Sequence, residues 1–295
     1  MNILDQGKSW SVTYQWRGDA STVKAFPYLK LDPSRLPVQL WNVSTLQFRA
    51  NWSTLVEGYD VDAQSQAAAY DATALKANAA IDMFLSPDAT NSTGLGCPNE
   101  VMIWFQFPPT MVPLGSTEST PEIDTVEVSG MNFSLYHGWN AQGQHVFSWL
   151  AHQNMTSADD DFSPLLSYIW KKGLLSGALF LGQVEFGTEV MHAGETTTFT
   201  ADDYELALYR EGDKDDPSPK TTSTTSTSST ATATSSSTAS SRASSSATSS
   251  ATSSSSSSGA APIIAAGMSI QQKLCIVLPL SLAVLSALVQ LAGIC

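Results

Sequence analysis

From Thr221 to Ser258 every residue is Ser or Thr apart from six alanines and Arg242. A stretch so poor in apolar side chains cannot bury enough surface to offset the entropy of ordering its backbone, so it is predicted to stay extended. That feature confines any packed core to the residues before it. The tract follows Asp213, Lys214, Asp215, Asp216, Pro217 and Pro219, a charged exit punctuated by proline. The folded domain is therefore predicted to end near Arg210, with residues 211–258 as linker. Hydroxyls at this density also suit an O-glycosylated stalk.

Beyond the linker, Leu274 to Cys295 is a run of 22 residues without a charge. Its length would span a bilayer. Small residues at Ser258, Gly259, Ala260 and Ala261, a spacer through Lys273 and this apolar tail match the arrangement of a glycosylphosphatidylinositol attachment signal. A retained membrane helix is the alternative for residues 259–295. Asn-X-Ser/Thr sequons at Asn42, Asn51, Asn91, Asn132 and Asn154 fit passage through a secretory pathway to a cell surface or wall. Residues Met1 to Trp10 hold no apolar run of signal-peptide length, so a leader is expected to have preceded them.

Composition removes several classes. A net charge of −13 argues against a phosphate-backbone partner, which needs clustered Lys and Arg. Cys97, Cys275 and Cys295 are too few for a disulfide scaffold or a four-ligand zinc site. His137, His145, His152 and His192 are scattered without ligand-type spacing. The chain has no P-loop, dinucleotide fingerprint or Gly-x-Ser-x-Gly motif. Neither metal nor cofactor is expected, and the molecule is expected to be a monomer.

Up to Arg210 the pattern is mainly strands. Trp10, Val12, Tyr14 and Trp16 alternate with polar neighbours, the period of a half-buried strand. In the segment from Glu100 to Phe107, Glu100, Met102 and Trp104 point one way and Val101, Ile103 and Phe105 the other. Leu179 to Val190 places Gln183, Glu185, Gly187 and Glu189 opposite Phe180, Val184 and Phe186. Short strands divided by Gly, Pro and Asn turns predict an all-β sandwich or jelly roll. One α-helix is predicted from Ser163 as N-cap and Pro164 at the first helical position to Gly173 just past its end. Val61 to Lys76, rich in Ala and Gln, can form a second, short one.

Glu100 and Glu189 stand on the polar faces of otherwise apolar strands, and Asp82 lies inside a third, Ala-Ala-Ile-Asp-Met-Phe. Desolvation disfavours a carboxylate in a sheet, so each needs a reason to be there. Two carboxylates flanking a sugar bond are what most glycosidases use. Solvated residues on an outer face would give the same pattern. Trp10, Tyr14, Trp16 and Trp104 offer flat rings for stacking on sugars, or else pack in the core.

These segments resemble glycoside hydrolase family 12, the small jelly-roll endoglucanases that include xyloglucan-specific members. Glu-Val-Met-Ile-Trp-Phe from Glu100 is similar to the family's nucleophile strand, Phe-Gly-Thr-Glu ending at Glu189 to its acid/base motif, and Ile-Asp-Met-Phe around Asp82 to the strand beside the nucleophile. Pro-Leu-Gly-Ser from Pro113 and Leu-Tyr-His-Gly-Trp-Asn from Leu135 are lesser matches. The resemblance implies Glu100 as nucleophile, Glu189 as acid/base, and Asp82 as a hydrogen-bonding neighbour that adjusts the charge of Glu100. It places Met102 and Trp104 along the cleft near the cleaved sugar and makes Asn140 a candidate for sugar contact, with Trp10 and Trp16 kept as candidates for stacking on substrate. The family begins with further strands, which this chain is expected to lack, leaving an unpaired sheet edge. Residues Asn51 to Ala74 read as an insertion that reshapes the groove. The function implied is a retaining endo-β-1,4-glucanase on β-glucan or xyloglucan, at a fungal cell surface. A wall transglycosylase and a non-catalytic carbohydrate-binding wall protein are the alternatives.

Overall fold

The computed structural model describes residues 1–117 and 122–217. Most of the Ser/Thr linker and the apolar tail with Cys275 and Cys295 lie outside the described residues. Strands β1 (Asn2–Leu4), β2 (Ser9–Trp16), β3 (Tyr28–Lys30), β4 (Val38–Gln39) and β5 (Val43–Val56) precede helix α1 (Ala63–Ala72). Then come β6 (Lys76–Ala77), β7 (Ala79–Ser86), β8 (Asn99–Gln106), β9 (Asp124–Val128), β10 (Met131–Trp139), β11 (His145–Ala151) and β12 (Ser157–Asp161). Helix α2 (Ser163–Lys171) leads into β13 (Phe180–Gly187) and the long β14 (Val190–Arg210).

Two sheets form. One runs β1-β2-β14-β5-β12, with β6 also on β14; the other runs β3-β13-β7-β8-β11-β10-β9, with β4 also on β13. Among the described residues every strand pairing is antiparallel except that of β8 with β11. The expected all-β sandwich is what forms among the described residues, with the helix expected near Ser163 as α2 and the possible second one, within Val61 to Lys76, as α1.

Alternation along each strand sends one set of side chains between the sheets. Phe48 of β5 meets Phe186 of β13 at 4.5 Å between ring centroids and stacks on Phe105 of β8 at 5.3 Å. Trp10 belongs to this core. It is 1% exposed and packs on Phe199 of β14 at 5.2 Å. Trp16, on the same face of β2, is partly buried against the same cluster. Neither reaches the outer face of the eight-stranded sheet, so both depart from the expected sugar-contacting role. Period two identifies two faces of a strand, and the second sheet covers the face carrying the aromatic rings.

Other expectations shift by a residue or an element. Helix α2 takes Ser163 as its first residue rather than its cap; Asp161 Oδ1 accepts the Ser163 N–H at 2.9 Å. The helix ends as expected, with Gly173 at φ +72° just beyond it. In β13 the register slips between Leu181 and Gln183, so Leu181, not Phe180, joins Val184 and Phe186 in the core. At Gly187 an added Cβ would strike the Pro27 carbonyl oxygen at 2.2 Å. The glycine admits the backbone leading into β3. The segment read as an insertion divides into the end of β5 and α1, fastened to each other by Tyr70 Oη–H to the Thr54 carbonyl at 2.7 Å.

The acidic exit is held in place. Arg35 bridges Asp213 at 2.9 Å and Asp215 at 3.1 Å, and Thr45 donates to Asp216 at 2.7 Å. These contacts lie past Arg210, within the described residues.

Candidate active site

Three neighbouring strands, β13-β7-β8, bring the carboxylates together on the outer face of the eight-stranded sheet. On β8, Val101, Ile103 and Phe105 are fully buried between the sheets, which turns Glu100, Met102 and Trp104 outward. On β7, Ile81 and Met83 do the same for Asp82. Antiparallel register then sets Asp82 directly opposite both Met102 on β8 and Glu185 on β13. Glu100, opposite Phe84, is the diagonal neighbour of Asp82 and is within hydrogen-bonding reach of it. Glu189 lies just past the end of β13, in the short link to β14.

Glu100 is 9% exposed. Its carboxyl is pushed up to about 7, first by burial and then by the charges of Glu189 and Glu185, against hydrogen bonds from Asp82 and Asn140. Burial also raises Glu189 to about 7, with Asn78 pulling the other way. Asp82 is held well above the carboxylate range by burial and by the charges of Glu100, Glu185 and Glu189. These effects favour the protonated acid, the form in which Asp82 can donate to Glu100.

Asn140 donates Nδ2–H to Glu100 Oε2 at 3.3 Å and to Gln144 Oε1 at 2.8 Å. Its Oδ1 accepts from the Gln142 and Gln144 backbone at 3.1 and 2.9 Å, so the amide has only one sensible orientation. The structure thus puts Asn140 on Glu100 itself, where a sugar contact was expected. Met102 and Trp104, nearly buried, form an apolar floor with Ala80, Met111, Val146 and Leu150. The Trp104 indole lies edge-on to Phe107 at 5.7 Å and directs its N–H to Met102 Sδ at 3.4 Å.

Two contributors escaped sequence reasoning. Asn78 is buried and makes three hydrogen bonds to Glu189: Nδ2–H to Oε2 at 3.0 Å, Oδ1 from the backbone N–H at 2.8 Å, and its own N–H to the backbone carbonyl at 3.1 Å. It lies between strands, where no periodicity marks it. Glu185 shares the polar face of β13 with Gln183, and that alternation was its only signal. The histidines are not all apart: His137 and His145 face each other across β10 and β11 with ring nitrogens 2.8 Å apart. Among the described residues no three His, Cys, Asp or Glu side chains form a metal-binding group.

Residues 1–208 match the family model described as Glycosyl hydrolase family 12. A probable xyloglucan-specific endo-β-1,4-glucanase A of Aspergillus fumigatus is 29% identical over 199 residues, 68% of this chain and 73% of that protein. The protein of the same description from Aspergillus clavatus gives the same figures. Among solved structures, Trichoderma harzianum endoglucanase 3 aligns with a TM-score of 0.55 at 22% identity, over 68% of this chain and 78% of that one. The family 12 xyloglucanase of Bacillus licheniformis aligns with a TM-score of 0.54 at 22% identity, over 70% and 84%. These structural likenesses carry the sandwich fold. With the family match running from β1 almost to the end of β14, the chain belongs to glycosyl hydrolase family 12.

Proposed function

We propose that this chain is a retaining endo-β-1,4-glucanase that hydrolyses xyloglucan or a related β-glucan. The observation that carries the reading is the pair of Glu100, buried, and Glu189, half-buried: desolvation raises both to about 7, and Glu100 feels the charge of Glu189. One carboxyl must attack and the other must hold a proton, and a low-dielectric pair of this kind favours a single shared charge. Glu189 gives its proton to the glycosidic oxygen as Glu100 bonds to the anomeric carbon and the leaving chain departs. Glu189 then takes a proton from water, which attacks that carbon and releases Glu100. Asp82 and Asn140 hold the Glu100 carboxylate in place by hydrogen bonds, and the Met102–Trp104 floor gives a sugar ring an apolar surface. The curated relatives, named for xyloglucan, support that substrate class.

Reducing-end release from xyloglucan and from soluble mixed-linkage β-glucan, with the new anomer followed by proton NMR, tests the reading. Release of the β-anomer first is expected. The α-anomer first would mean inversion, absence of release from either polymer would overturn the activity, and longer products from an added acceptor would mean transglycosylation.

Activity against pH should be a bell with its maximum above about pH 5, since both carboxyls stand above the ordinary values of about 4.3. The Asp82 hydrogen bond favours ionised Glu100, so Asp82→Ala leaves Glu100 protonated to higher pH. Its acid limb should move up by about one unit. An unchanged kcat/KM profile in Asp82→Ala would remove Asp82 from the site.

The sequons, the Ser/Thr linker and the apolar tail further support a secreted enzyme held at the cell surface by a lipid anchor. Phosphatidylinositol-specific phospholipase C should release the protein from intact cells. Retention after that treatment would favour a membrane helix.

A further inference from the structure

A fourth carboxylate stands behind the site. Glu185 is 2% exposed, so it cannot itself touch a polysaccharide, yet burial makes an idle carboxylate costly. It sits opposite Asp82 on β7 and opposite Lys30 on β3. Gln183 donates Nε2–H to Glu185 Oε2 at 2.6 Å. A single row across three strands therefore reads Lys30, Glu185, Asp82, with Glu100 diagonal to the last.

We propose that Glu185 is a positioning residue that keeps the proton on Asp82, and thereby keeps Asp82 donating to Glu100. The proposal rests on the reading of Glu100 as the reacting carboxylate. Directly opposed carboxyls in a buried sheet cannot both ionise, so one retains a proton. The surroundings decide which. Burial pushes Glu185 up to about 7, but an amide donor, Gln183, and a cation, Lys30, pull the other way and favour its charge. Asp82 is opposite Glu185 on β13 and feels the charges of Glu185, of Glu100 diagonal to it on β8 and of Glu189 beyond β13, with no cation among the described groups that shift it. Among the described residues no donor reaches its buried Oδ1, a poor setting for an anion that the Met83 backbone offsets only in part. The other titratable groups that sense Glu185 are Tyr28 beside it on β3 and Tyr204 of β14, and burial and this charge keep both phenols neutral. The row thus alternates cation, anion, neutral donor and reacting anion.

The test uses the full chain labelled with carboxyl carbon-13 Asp and Glu, titrated by NMR. In the unsubstituted protein Glu185 is expected to ionise at lower pH than Asp82; the reverse order overturns the proposal. In Glu185→Gln the Asp82 midpoint should fall by at least about one unit. The alkaline limb of kcat should then move to lower pH with KM unchanged, because ionised Asp82 no longer donates to Glu100. Glu185→Asp keeps the charge and should restore the limb. An unmoved Asp82 midpoint in Glu185→Gln rejects the proposal. Failure of the underlying reading is seen separately, as full activity in Glu100→Gln, and leaves the NMR result standing.

Discussion

Glu100→Gln leaves a folded protein whose turnover of β-glucan falls at least about 10³-fold, because the amide cannot form the glycosyl-enzyme ester. The substitution is nearly isosteric, and the glutamine carbonyl can still accept from Asn140. It should also make the protein more stable in one pH window. The Glu100 carboxyl is raised from an ordinary value of 4.5 to about 7 in the folded chain. A folded value above the unfolded one means that the folded state binds the extra proton, so stability falls as pH rises from about 4.5 through about 7. The glutamine variant escapes that loss. At pH 8 it should exceed the parent by as much as about 3 kcal/mol, with little difference at pH 4. Thermal unfolding at the two pH values, beside initial rates, checks both effects. Full activity in the variant would end the assignment of Glu100 as nucleophile. A stability difference independent of pH would mean that its burial is not felt in solution.

Glu189→Ala slows hydrolysis by about 10²- to 10⁴-fold, the usual range for a lost general acid–base. Azide should restore turnover on a substrate with a good leaving group, because such a group departs unaided and the small anion needs no base to attack the intermediate. The truncation vacates the space that Asn78 now frames with its hydrogen bonds, and this is where azide would enter. Retention requires the product to be a β-glycosyl azide, identified by mass and by its anomeric proton. Slow hydrolysis with neither rescue nor azide product would remove Glu189 from the acid/base role.

The two carboxylates differ in how they could be read. Glu100 was visible because β8 alternates cleanly, and a charged residue in that pattern stands out. Glu189 was visible through its neighbours Phe186, Gly187 and Thr188, although it proved to lie past the strand rather than on it. The slip at Gly182 was not visible. An added Cβ there would strike the Ser92 carbonyl oxygen at 2.2 Å, so the glycine answers to a loop ninety residues away. Trp10 and Trp16 misled for a related reason: an aromatic ring suits a sugar and a core equally well, and nothing local separates the two.

Local pattern was enough for the strands, for the helix near Ser163 with a possible second before Lys76, for the expectation that the domain ends before the Ser/Thr tract, and for marking Glu100, Glu189 and Asp82 as unusual carboxylates. All of these follow from short-range effects: the two-residue pleat, the caps and breakers of a helix, and the inability of a Ser/Thr tract to build a core. Strand order and register, by contrast, set β13, β7 and β8 side by side, bring Glu185 opposite Asp82, and let Asn78 and Asn140 grip Glu189 and Glu100. Those pairings join residues 40 to 111 positions apart. They depend on strand order and register, which the whole set of inward-facing side chains selects together when the two sheets close on their core.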